Sequence, residues 1–292
     1  MKKIAAVLMV TALMPVVAMA ETASGALTLG YESGKAAGAR AHAFTFDGIV
    51  GVSLGNNLTL NARANLLRGK INGMPGRLDA RLLGLGLGYS LGNGGWVGAS
   101  LENGGVGISG VFGTLDYTQL GIEGGFAAGG ADVAGFYANS REVDSIGFSA
   151  KFSQNARYQI GGGAIHSSID TGAGKQGANY LGVAGVMNVT NSLSVFGGVA
   201  HTTVNGTGAN LTSLGLGASY GFGESLGGSS VSLELGRTNV DDGTNRGNMN
   251  VVRLGLTIPL GRGSAAVPQN SVAGAVLNPT KNAISQTVLS AF

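Results

Sequence analysis

Along most of this chain, apolar residues alternate with small or polar ones at the period of two that a β-strand imposes, because successive strand side chains point to opposite faces. The run from Leu82 to Leu91 shows it most cleanly, with Leu83, Leu85, Leu87, Tyr89 and Leu91 on one face and Gly84, Gly86, Gly88 and Ser90 on the other. A second run sets Leu214, Leu216, Ala218, Tyr220 and Phe222 against Gly215, Gly217, Ser219 and Gly221. Read this way, the sequence predicts fourteen strands, at 25–33, 42–54, 57–69, 78–91, 94–102, 112–127, 130–140, 143–153, 156–168, 176–189, 192–204, 209–222, 228–239 and 248–261. Between Leu115 and Phe126 the apolar phase slips from odd to even positions, which a β-bulge near Gln119 would produce.

The connections alternate in kind. Those after even strands are brief and most carry turn residues: Asn56, Gly92-Asn93, Gly129, Asn155-Ala156, Thr190-Asn191 and the stretch around Ser225. Most of those after odd strands are longer and more polar, as in Gly34 to Ala41, Lys70 to Arg77, Asn103 to Val111 and Val240 to Gly247. In a membrane barrel the short turns mark the periplasmic end, and an even strand count brings the chain back to the end where it began. Twelve strands is the nearest competing count.

The first twenty residues read as a secretory signal peptide: Lys2 and Lys3, an apolar stretch from Ile4 to Val17, then Ala18-Met19-Ala20, with cleavage expected after Ala20. No later window holds 18 consecutive apolar residues, so strands rather than helices are the expected way of crossing a membrane. Residues 21–261 are then expected to form an all-β, transmembrane, antiparallel up-and-down barrel in the outer membrane. Residues 262–292, interrupted by Pro268 and Pro279, are expected to be a periplasmic tail, with a lumen plug or a final strand ending at Phe292 as alternatives.

Composition narrows the function classes. Glycine fills 54 of 292 positions without a three-residue period, and the hydrophobic fraction is 44%, which fits neither collagen nor ordinary disorder. There is no cysteine, hence no disulfide and no thiolate metal site. Loss of Lys2 and Lys3 leaves 16 basic residues against 15 acidic ones, which gives no argument for nucleic-acid binding.

With the leucine face assigned to lipid, the lumen face receives Asp47, Arg63, Glu102, Asp116, Glu123, Lys151, Arg157, Glu234 and Arg253. Such a set is either a charged, water-filled eyelet or a lattice of internal ion pairs. Small lumen residues such as Gly84, Gly86, Gly161, Gly163 and Gly215 leave space, and a 14-stranded ring is wider than the 8-stranded rings that side chains fill. An open channel for small hydrophilic solutes is the expectation, unless a loop or the tail folds inward. Tyr31, Phe44, Phe46, Trp96, Tyr117, Tyr158, Tyr220 and Phe222 are expected at the membrane interfaces.

No enzyme, metal or cofactor is expected. Gly217-Ala-Ser219-Tyr-Gly221 and Gly223-Glu-Ser225-Leu-Gly227 match a hydrolase pattern, but neither precedes a helical pattern. Gly105-Val-Gly107-Ile-Ser-Gly110 lacks a βαβ unit around it. His42, His166 and His201 have no partner at metal-ligand spacing, and Asp241, Asp242 and Asn245 read as a solvated loop rather than a calcium site.

The signal peptide, the strand meander, the strands Gly84-Leu-Gly-Leu-Gly-Tyr89 and Gly215-Leu-Gly-Ala-Ser-Tyr-Gly221, and Phe292 together resemble Gram-negative outer-membrane barrels, small monomeric porins in particular. Autotransporter translocator domains look similar. The resemblance implies an outer-membrane location, lipid and the barrel-assembly machinery as partners, and a passive channel function. The alternative it implies is an autotransporter-like or structural barrel without an open pore.

Overall fold

A computed structural model describes residues 23–36, 39–73, 76–109, 114–154, 157–170, 174–223, 226–261 and 267–291. The proposed signal peptide, Ser225 and Phe292 lie outside the described residues.

Fourteen strands form one closed antiparallel barrel in simple sequence order. They are β1 (Ala23–Ala36), β2 (Ala39–Gly55), β3 (Leu58–Ile71), β4 (Arg77–Ser90), β5 (Gly95–Ser109), β6 (Thr114–Ala128), β7 (Ala131–Asn139), β8 (Val143–Gln154), β9 (Tyr158–Asp170), β10 (Lys175–Asn188), β11 (Leu193–Val204), β12 (Asn210–Gly221), β13 (Ser230–Asp241) and β14 (Arg246–Gly261). Closure is made by β1 on β14, from Ser24 opposite Gly261 to Ala36 opposite Met249. Every strand thus has two neighbours, and no edge is left unpaired.

The outer wall is apolar, as the alternation predicts. Leu216 is 70% exposed, Leu120 69% and Ile122 67%, values a water-facing surface would not carry in such numbers but a lipid-facing one requires. The ring pair Tyr31–Phe44, with centroids 5.0 Å apart, belongs to this outer face, as do Tyr158 and Tyr220.

Four expectations are corrected. The odd connections are not long loops, because the strands run on through them: β5 continues to Ser109 across most of the expected 103–111 loop. There is no bulge at Gln119, since the β5–β6 register runs unbroken from Gly95↔Phe126 to Gly107↔Thr114. The register shift between β2 and β3 lies instead at Ser53/Gly55, beside the left-handed Asn56 and Asn57 of the turn. Trp96 and Tyr117 are not interface residues: Tyr117 is 3% exposed inside the barrel, and Trp96 shares the inward parity of Ser100 and Glu102.

The fourth correction concerns the tail. Residues 267–291 do not hang outside the barrel but lie within its lumen as two short helices, α1 (Val272–Leu277) and α2 (Ala283–Ala291). Their formation is local chemistry. Ser271 caps α1 by accepting from the Gly274 N–H at 2.9 Å, and Asn278 with Pro279 ends it. Asn282 caps α2 by accepting from Ile284 N at 2.9 Å and Ser285 N at 3.3 Å.

Candidate functional site: the filled lumen

The wall is shaped for the tail. Gly161, Ala184, Gly198 and Gly215 are register partners on β9, β10, β11 and β12, making a lane across four strands in which no side chain exceeds a methyl group. Helix α1 lies along it. A Cβ on Gly161 would stand 2.9 Å from Leu277 Cδ2, one on Gly198 3.3 Å from Ala273 Cα, and one on Gly215 2.8 Å from Val272 Cγ2. Beside the lane, a Cβ on Gly182 would meet Val276 Cγ2 at 2.9 Å. Two of the glycines that promised an open pore, Gly161 and Gly215, are therefore seats for a helix, and the space they leave is filled.

Around this seat the β8–β12 side of the interior resembles the core of a soluble protein. Val143, Ile165, Ile169, Tyr180, Phe196 and Ala200 pack with Val272, Val276 and Leu277, and Ile284 and Leu289 of α2 join them. The buried polar groups of the tail are bonded. Gln286 donates to the Tyr180 hydroxyl (3.2 Å) and to the Ala275 carbonyl (2.8 Å), the Ser285 and Tyr117 hydroxyls meet at 2.6 Å, and Ala283 N donates to Ser167 Oγ at 2.9 Å.

The opposite side, β13, β14 and β1, is polar. Arg253 is 2% exposed and donates to Glu32 at 3.1 Å, to Glu234, and to the Ala291 carbonyl at 2.7 Å. Glu234, also 2% exposed, accepts in turn from Val272 N at 3.2 Å. One buried ion-pair triad thereby holds both the start of α1 and the end of α2. Where the tail enters, Gln269 N donates to Thr28 Oγ1 of β1 at 3.1 Å and Asn270 Nδ2 to the Leu254 carbonyl of β14 at 3.2 Å. Thr28 and Thr257 meet across the same seam at 3.0 Å.

Between the helices, Asn278 to Lys281 form a strap that crosses to the β3–β6 wall. Arg63 donates to the carbonyls of Pro279 (2.7 Å) and Asn278 (2.9 Å), and Lys151 to Asn278 Oδ1 (3.3 Å). Lys281 Nζ donates to Glu123 at 2.6 Å and its backbone N–H to Glu102 at 3.3 Å. Below the strap, toward the barrel end where the chain enters, a recess of about 250 Å³ remains, lined by β2–β6. Glu123 and Lys281 keep 21% and 18% of their side-chain exposure, so solvent reaches it.

Of the nine charged residues expected on the lumen face, the structure gathers seven inside. Arg63, Glu102, Glu123, Lys151, Glu234 and Arg253 hold the tail, and Asp47, 3% exposed, is bonded to Asn65 Nδ2 at 2.7 Å. Asp116 does not belong there: without a bulge it points outward, where it pairs with Arg81 at 3.0 Å, both about half exposed. Arg157 is exposed in the β8–β9 turn, outside either strand. Tyr117, Gln119 and the tail residues were missed. The signal for the tail was present in Ser271 followed by the apolar run Val272 to Leu277, a capped helix short enough to fit inside a barrel.

Ser219 is buried within β12 rather than on a strand-to-helix elbow. His166 bonds Asn179 and His201 bonds Thr212 on the exposed surface, and no cluster of three metal-binding side chains occurs among the described residues. In the β13–β14 connection, the N–H groups of Asn245 and Thr244 hold the Asp242 carboxyl below its ordinary range, so its oxygens are already engaged by their own loop.

No protein-family model matches the chain, and no curated protein sequence matches it. Solved structures do. An anion-selective porin from Comamonas acidovorans superposes with a TM-score of 0.52 at 10% identity, over 82% of this chain and 98% of that one. A Pseudomonas aeruginosa FadL homologue superposes with a TM-score of 0.54 at 12% identity, over 83% of this chain and 91% of that one. The shared property is the fold, a closed antiparallel β-barrel like those of the porin and the FadL homologue.

Proposed function

We propose that this protein is an outer-membrane channel held shut by its own C-terminal segment, which passes small hydrophilic solutes when that segment leaves the lumen. The observation that carries this reading is the fit of residues 267–291 to the barrel: a glycine lane receives one helix, and charged wall residues bond both helices and the strap between them. An always-open pore, the simpler expectation, leaves this fit without a purpose. The charged residues on the β3–β6 wall, with the glycines beside them, would form a polar path once the strap is gone.

The apolar outer belt and the export signal read at residues 1–20 support an outer-membrane location, and the tail enters from the barrel end where β1 begins and β14 finishes. Among the described residues no nucleophile stands beside an acid–base set, which favours a channel over an enzyme. Planar-bilayer recording of residues 21–292 beside residues 21–266 tests the reading. The full chain should be silent or nearly so, and the shortened chain should give discrete steps that scale with salt. A shortened barrel that folds and stays silent would move the assignment to a structural barrel.

A further inference from the structure

In the recess beneath the strap the charges balance in number, but they are not matched contact for contact. Both of its carboxylates are engaged: Glu123 by the Lys281 ammonium at 2.6 Å, and Glu102 by the Tyr117 hydroxyl at 3.0 Å and Lys281 N at 3.3 Å. Arg63 is not matched in the same way. Its two hydrogen bonds, at 2.7 and 2.9 Å, go to neutral carbonyls of the strap, and no described carboxylate oxygen lies within 4.0 Å of it. The nearest acid on the adjoining strand, Asp47, bonds Asn65 at 2.7 Å instead. Lys151, behind the same strap, likewise has no described carboxylate within that distance.

A guanidinium carries five N–H donors, so Arg63 retains three beyond those spent on the strap. The counter-charges that act on Arg63, those of Glu102, Glu123 and Asp47, all stand beyond 4.0 Å, so a small anion entering the recess would be the first to meet the guanidinium directly. The recess offers two more features to such a guest. Ser100 Oγ is buried there without a hydrogen-bond partner, and the Trp96 indole supplies a flat apolar wall. The floor is glycine at 84, 86 and 88, which lets a planar group approach the backbone. At about 250 Å³ the space lies below the roughly 300 Å³ at which drug-sized pockets begin, which selects a small molecule.

We propose that this recess is a binding site for a small planar monocarboxylate, whose carboxylate takes the free N–H groups of Arg63 and the Ser100 hydroxyl while its body lies against Trp96. The proposal deepens the channel reading and rests on it, since it assigns a solute class to the wall that would line the opened path. Cationic guests are disfavoured because Lys281 already occupies the two carboxylates.

Trp96 is the single tryptophan of the chain, so its emission reports on this recess alone. The full mature chain, folded in detergent, is titrated with benzoate and, separately, with the neutral isostere benzamide, each corrected against free N-acetyltryptophanamide. Benzoate should change Trp96 emission saturably, with benzamide at least about tenfold weaker, the factor that corresponds to ~1.4 kcal/mol. Arg63→Met should weaken benzoate by a similar factor. Because Arg63 also holds the strap, Gly88→Leu serves as the second variant: a Cβ there meets nothing nearer than Thr59 O at 3.9 Å, so a leucine enters the recess from a floor position that makes no bond to the tail. It should weaken benzoate by at least the same factor. No saturable response to benzoate, or equal binding of benzamide, overturns the proposal. The readout needs only the closed, folded chain, so a silent bilayer recording of the shortened barrel would count against the channel reading and not against this site.

Discussion

Arg253 of the last strand donates to the carbonyl of Ala291 at 2.7 Å, joining the barrel wall to the far end of the segment that follows it in sequence. The same guanidinium bonds Glu32 and Glu234, and all three side chains are 2% exposed. Arg253→Met should leave two buried carboxylates without their cation and destabilise the folded chain by about 3–5 kcal/mol. Arg253→Lys should cost less than this but should still lose the forked geometry. Urea unfolding in detergent measures both, and equal stability of Arg253→Met and wild type would refute the triad's role.

Gly215 lies beneath Glu234 and Val272: the place of a Cβ runs into the Glu234 carboxylate and stands 2.8 Å from Val272 Cγ2, and these are the two groups joined at the start of α1. Gly215→Leu should therefore expel α1 rather than unfold the barrel, at a packing cost of roughly 1–3 kcal/mol. Limited proteolysis reads the outcome: the variant's tail should be cleaved where the wild-type tail is protected, while heat-dependent gel migration of the barrel stays unchanged. Protection of the variant's tail would mean the lane is not the seat.

The Lys281–Glu123 pair is one-fifth exposed, and its contribution should be about 1 kcal/mol or less. Lys281→Met should accordingly loosen the strap without releasing the helices. In a planar bilayer this would appear as brief openings on a closed background. Sustained opening would show that the strap, not the helices, carries the closure.

Asp116 provides the contrasting case. Its bond to Arg81 is on the outer face and half exposed, so Asp116→Asn should change stability by less than about 1 kcal/mol. It should leave conductance and ion selectivity of the tail-less barrel untouched, whereas Glu123→Gln in the same background should shift selectivity. A selectivity change from Asp116→Asn would place that residue in the lumen after all.

The strand count, the barrel and its lipid face were legible because period-two alternation with leucine outside is dictated residue by residue. The failures share one physical origin. Tyr117, Val143, Ile165 and Tyr180 are lumen residues that look like core residues, because they pack on a tail whose capped helix is visible in the sequence but whose docking against these strands is a long-range contact. Tyr117 and Asp116 show the effect most directly. With an aromatic at 117 the lipid phase seemed to slip, and a bulge appeared necessary, yet the register is unbroken and the aromatic faces a neighbour 168 residues away, Ser285. Loop lengths misled for a simpler reason: polar strand ends that project past the lipid read as loops in one dimension.

The tail's entry point has a consequence for the order in which the molecule is made. Gln269 and Asn270 bind opposite sides of the β1–β14 junction, so their site does not exist until the first and last strands have met. The tail's entrance can be held only by a finished cylinder. Those two contacts are a latch across the joint, so that a barrel open at its seam also loses its hold on the neck of its stopper.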